Sequence, residues 1–245
     1  MIALVLVALQ PIGPSPLFTP TTAPISERAI LEEEMQSAQA RAKTLGATLG
    51  VRIVDLTTGA TASSGGDVNL PMAGVQRLAL AIVTMRAVDA GELALTQSLD
   101  GVTVRDLISR MVMDNDYASA NALIQALGGG DAVNARLRAL GFDAVFVAPD
   151  DAGYATPNAL ARLLSQLVNG GLLAPASTKL LLNEMKTMHL THTQTSTNEA
   201  QILYINRRTV AIAAMLNAGS GSDEARDAVI AALVQAAADA TAATP

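Results

Sequence analysis

The chain has 245 residues, half of them apolar, with a formal net charge of −6 and no cysteine. That length suits one α/β domain of moderate size or two small ones, and the apolar half supplies a core without difficulty. Disulfides, thiolate catalysis and Cys-based zinc sites are excluded. The acidic balance without any Lys or Arg run excludes a nucleic-acid partner, and aromatics at 2% leave little to stack sugars or single strands on.

Residues 1–24 open with a short apolar run, MIALVLVALQ, and continue rich in proline. The run falls short of the roughly 20 apolar residues a bilayer span needs. It resembles the apolar part of a secretory signal, without the basic residues that usually precede one or a clear cleavage site. Export to a secreted or periplasmic location is therefore expected, against a disordered tail or a misplaced start. This segment is set apart from the fold.

From Ile25 the pattern is helical, with Ser26 as N-cap and Glu27 in the first turn, and it ends near Gly46. Ala47–Leu56 reads as a strand, Thr57-Thr58-Gly59 as a tight turn, and Ala60–Ser64 as a shorter returning strand. Met72–Ala90 is apolar on most sides, which predicts a buried helix closed by Gly91. Helices are predicted over 102–113, capped by Thr103, over 118–127 before Gly128-Gly129-Gly130, and over 131–140. A brief extended piece at 144–148 meets a loop at 149–155. Thr156-Pro157 starts another helix, to about Val168, and 177–188 is one more. Gln201–Asn206 and Thr209–Asn217 are strands around Arg207-Arg208, and 223–240 is an Ala-rich closing helix.

Strands at both ends of the chain and helices between them predict an α+β fold, a three-layer α/β/α sandwich. One antiparallel sheet would carry the terminal helices on one face and an all-helical middle on the other. The expected division is a sheet subdomain of 25–66 and 190–245 and a helical subdomain of 67–189. No internal repeat is visible. His189 and His192 stand three apart without a third ligand, so no metal site and no other cofactor is expected.

Several phrases resemble the penicillin-binding protein and class A β-lactamase family, over about Leu31 to Ala238. They are VRIVDLTTGATAS, PMAGVQRLALAIVTMRAVDAGELAL, MVMDNDYASANALIQALGG and ATPNALARLLSQLVNGGLLAP. The second is the most specific. The resemblance implies three motifs: Ser-x-x-Lys, whose serine attacks an acyl carbon and whose lysine one turn on handles its proton; Ser-Asp-Asn; and Lys-Thr-Gly on a strand.

All three are altered. The first reads Gly74-Val75-Gln76-Arg77: glycine has no nucleophile and arginine stays protonated. No Ser-x-x-Lys occurs at Lys43, Lys179 or Lys186 either. The second falls on Asn115-Asp116-Tyr117, with Asp114-Asn115-Asp116 as the competing register. The third falls on His192-Thr193-Gln194. The loop that carries a deacylating glutamate in β-lactamases is shortened to 149–154 and contains Asp150 and Asp151 but no Glu-x-x-x-Asn.

Each candidate has two readings. Arg77 could line an anion pocket beside Gly74 at a helix N-terminus, or fill the old site and pair with Asp116 or Asp114; arginines more often serve structural pairs. Asp116 with Tyr117 could be an acid and hydroxyl pair, or Asp116 a helix cap. Asp151 could lean over a cleft or sit on a solvated loop. Thr193, Thr195, Ser196 and Thr197 could bind a ligand or belong to an ordinary strand.

The expectation is a non-catalytic relative of that family binding a small-molecule or peptidoglycan-like ligand or a protein partner, with no stable membrane span. Arg77, Asp116, Tyr117, Asp151, Thr193 and Thr195 are the ligand candidates. The alternatives are a hydrolase of the same fold acting on a β-lactam or peptide amide by a non-standard route, and a structural or assembly module.

Overall fold

A computed structural model describes residues 25–149, 153–185, 191–192, 196–205, 207–218 and 221–242. Helix α1 (Ile25–Thr44) is followed by strands β1 (Ala47–Asp55), β2 (Thr61–Ser64) and β3 (Leu70–Pro71). A 3₁₀ turn at Ala73–Val75 runs into α2 (Gln76–Asp89), and β4 (Ser98–Leu99) with β5 (Val102–Thr103) forms a small hairpin. Helices α3 (Val104–Met113), α4 (Tyr117–Ala126) and α5 (Gly130–Ala139) precede β6 (Val145–Phe146) and β7 (Tyr154–Ala155). Then come α6 (Pro157–Val168), α7 (Pro175–Glu184), β8 (Thr191–His192), β9 (Ser196–Ile205), β10 (Arg208–Ala218) and α8 (Asp223–Ala242).

The main sheet has the order β2-β1-β10-β9-β8 and every pairing described in it is antiparallel. Strand β10 is its centre because its sequence, TVAIAAML, is apolar on both faces, as a strand buried twice must be. Val210, Ile212, Ala214 and Leu216 face α1 and α8, where Met35, Ala38 and Ala42 meet Val229, Ile230 and Leu233. Ala211, Ala213 and Met215 face the helical side, in one core with α2, α3, α4 and α6. The predicted α+β sandwich is therefore the fold that forms.

Helix α2 is the middle of that second core. Every residue from Gln76 to Met85 is buried, so the helix has no solvent face until Arg86. It ends in a Schellman arrangement: Glu92 N–H donates to Ala87 O at 2.9 Å and Gly91 N–H to Val88 O at 3.0 Å, with Gly91 at φ 74°. Threonine caps fall where the sequence puts them, with Thr103 Oγ1 accepting from Asp106 N and Thr156 Oγ1 from Ala159 N.

Some elements differ from expectation. Helix α2 starts at Gln76 rather than Met72, because the preceding residues are wound as a 3₁₀ turn. Val102–Thr103 is paired with Ser98–Leu99 rather than helical, and Tyr154–Ala155, expected as loop, bridges β3 and β6. Strands of two residues carry no period-2 pattern to detect. Strand β9 begins at Ser196, five residues before the apolar QILYI phrase, since its polar first half still pairs with β10.

Candidate functional site

The stretch Gly74-Val75-Gln76-Arg77, where the resemblance leads one to expect Ser-x-x-Lys, lies where α2 begins, and the chain entering it is held from two sides. Asn198 Nδ2 on β9 donates to Pro71 O at 3.1 Å, and Met72 N–H donates to Gly153 O at 2.8 Å. Ala73 then adopts φ 49°, a conformation that costs a residue with a Cβ on the order of 1–3 kcal/mol and persists only where its surroundings impose it. Gly74 follows, buried inside the 3₁₀ turn. The strained approach thus delivers a residue with no side chain.

Arg77 comes three residues later, on the same face of the helix start. It is 1% exposed, and its guanidinium carbon lies 4.6 Å from the centroid of the Tyr117 ring. This is cation–π geometry, which strengthens as the cation is desolvated. Tyr117 is 47% exposed, so the pair joins a buried cation to a half-open ring.

Tyr117 is delivered by the cap of α4. Asp116 is the N-cap: its Oδ1 accepts from Ala118 N–H at 3.2 Å, and its Oδ2 from Ser119 N–H at 3.0 Å and Ser119 Oγ at 2.5 Å. The Ser119 hydroxyl bond, with the backbone bonds and the Arg110 charge, outweighs partial burial and holds this carboxyl below the ordinary carboxylate range. A carboxylate so stabilised is a weaker base than an ordinary aspartate, the opposite of the tuning a general base at neutral pH requires. Asn115, beside it, is exposed and takes the left-handed conformation at φ 59°. Of the two readings of Asp116, the capping one matches its contacts.

The rim of the site comes from β6, β7 and the chain next to them. Two side-chain amides act there as substitute ladder partners. Gln76 Nε2 donates to Ala148 O at 2.9 Å and its Oε1 accepts from Ala148 N–H at 3.0 Å. Asn134, on α5, grips Val147 in the same two-way manner, at 2.8 Å each. Next to these, Phe146 and Tyr154 stack with ring centroids 4.9 Å apart and 12° between planes.

Strand β8 pairs with the start of β9, Thr191 opposite Asn198 and His192 opposite Thr197. Asn198, from this corner, reaches the turn before Gly74. Thr197 points the other way: it is buried, its Oγ1 donates to Asp227 Oδ1 and accepts from Arg226 Nε, at 3.4 Å each. That hydroxyl belongs to the packing of α8. Asp150, Asp151, Lys186, His189, Thr193, Gln194 and Thr195 lie outside the described residues.

The structure therefore gathers Gly74, Arg77, Asp116 and Tyr117 at the junction of α2 and α4. Sequence reasoning missed Gln76, Asn134, Gly153 and Asn198. Gln76 did leave a signal, an amide in an otherwise apolar stretch, whereas the other three are ordinary loop, helix and strand residues by local pattern. Among the described residues no group of three or more His, Asp or Glu gathers as metal ligands, and no helix is long and apolar enough to cross a membrane.

A family model described as Beta-lactamase enzyme family matches residues 30–196, more than half of the chain. No curated protein matches by sequence. Among solved structures, a β-lactamase from Chitinophaga pinensis DSM 2588 superposes with a TM-score of 0.79 at 22% identity, over 85% of this chain and 99% of that one. An ancestral (GNCA) class A β-lactamase gives 0.79 at 24% identity, over 86% and 99%. The last common ancestor of Gram-negative bacteria (GNCA4) class A β-lactamase gives 0.78 at 25%, over the same shares.

Proposed function

Because the chain belongs to the beta-lactamase enzyme family, we propose that it is a member without the acyl-enzyme reaction, whose altered cleft binds a small ligand of the peptidoglycan kind. One observation supports this reading: Gly74, which the family resemblance aligns with the attacking serine, is buried in the turn that opens α2, and the cation one turn on is buried against Tyr117. Acyl transfer needs a nucleophile and a group to take its proton. Glycine offers neither, and a guanidinium does not release its proton in a protein.

The half-exposed face of Tyr117 would meet the ligand, with Arg77 behind it supplying positive charge. A β-lactam or amide hydrolase using a carboxylate to activate water has less support, since Asp116 is occupied as a cap and its carboxyl is held low. The members of such a site act as a unit, so losing several together leaves little residual rate.

Incubation with a fluorescent penicillin followed by denaturing electrophoresis is expected to give no covalent band, and nitrocefin turnover should not exceed that of heat-inactivated protein. A stable band would end the non-catalytic reading. The double variant Gly74→Ser, Arg77→Lys is expected to stay far below an ordinary enzyme rate of roughly 1 per second. Turnover at that rate would mean that the rest of the catalytic site is intact.

A further inference from the structure

A concavity lies where the end of α6, helix α7 and strand β9 meet. It has a volume of about 730 Å³, within the range of small-molecule sites. Leu173 is buried at its base, with half-buried Val168 and Leu182 on its walls and Thr178 at 9% exposure. Tyr204 stands on its open side, 60% exposed although it shares a sheet face with the packed Ala200 and Ile202.

The charge of this groove is opposite to that of the molecule. Among the described residues Lys179 is the one charged residue that lines it, in a chain of net charge −6 with three lysines. An apolar trough with a single ammonium on its rim matches an apolar body ending in one negative charge. A cation would meet Lys179 unfavourably, and a neutral chain would leave the ammonium unused.

We propose that this groove binds an amphipathic monoanion, with its carboxylate at Lys179 and its aliphatic or aryl body against Val168, Leu173, Leu182 and Tyr204. The site is independent of the cleft reading and stands whether or not the protein hydrolyses anything.

Octanoate is the probe, with octanol as its neutral counterpart, titrated into the full chain labelled with ¹⁵N. Amide shifts are expected to saturate with octanoate at residues 168–182 and at Tyr204, and to respond to octanol only at higher concentration. Lys179→Ala should weaken octanoate about fivefold, the size of one partly exposed charge contact, and leave octanol unchanged. Leu182→Glu should abolish both. Lys179 is exposed and Leu182 is half-buried at the edge of the helical core, and an unchanged far-UV spectrum would verify that the variants fold. Absence of saturable shifts in this region, equal affinity for the alcohol, or an unaltered octanoate titration in Lys179→Ala would each overturn the proposal.

Discussion

Replacing Asp55 by alanine is expected to lower stability by about 3 kcal/mol, because breaking a buried ion pair strands the remaining charge. Asp55 ends β1 at 5% exposure, and its Oδ2 accepts from Arg208 Nε at 2.7 Å and pairs with Arg208 Nη2. Its Oδ1 accepts from Thr57 N–H at 2.8 Å and Thr58 N–H at 3.1 Å. One side chain therefore closes the β1–β2 turn and ties it to β10, the central strand. Alanine would leave two turn amides and a largely buried guanidinium without that carboxylate.

The same contacts set a pH dependence. Burial alone would raise the Asp55 pKa, but the Arg208 bond and the two turn amides outweigh it and bring it below the ordinary 3.8. A group whose folded pKa is depressed adds stability above its unfolded pKa, about 3.9, and that contribution is lost as pH falls through the folded value. Urea unfolding should thus show the full gap between wild type and Asp55→Ala at pH 7 and a narrowing gap below about pH 4. A gap that widened with acid would contradict the assigned sign.

Gly153→Ala is expected to cost about 2 kcal/mol, the usual size of an overpacking penalty, and to loosen the rim of the candidate site. A Cβ placed on Gly153 would lie 2.2 Å from Gln76 Oε1 and 2.5 Å from the Phe146 carbonyl oxygen. The first contact is to a flexible amide, but moving that amide breaks its two bonds to Ala148. The second is to backbone, which has to shift. Hydrogen exchange at Ala148 should quicken more than the global fall in stability accounts for, while amides of β10 follow the global change alone. Uniform acceleration throughout would show that Gly153 serves the whole fold rather than this rim.

The helices were legible because their signals are local. Threonine before an acidic turn, proline in a first turn and glycine after an apolar run each specify a boundary within a few residues, and Thr103, Thr156 and Gly91 do so here. The sheet was legible where a strand is apolar on both faces, as in β10. The polar start of β9 and the two-residue strands were not, since their only signature is the strand beside them. In the candidate site, the cap at Asp116 could be read from its setting before ASANALI. The Tyr117 ring over Arg77 was not legible, because nothing local states which side chain will lie over a buried guanidinium.

By itself the sequence determined the α+β sandwich, the buried run of α2 and the absence of any Ser-x-x-Lys in the chain, since composition, periodicity and side-chain chemistry do not depend on what lies nearby. Only the tertiary structure decided that Arg77 stacks on Tyr117, that Gln76 and Asn134 stand in for a missing sheet ladder, and that Lys179 overlooks an apolar groove. The first three contacts join residues 40, 72 and 13 positions apart, and the groove brings Lys179 and Tyr204 to one place; such meetings are set by how helices and sheet pack, after every local preference has been satisfied.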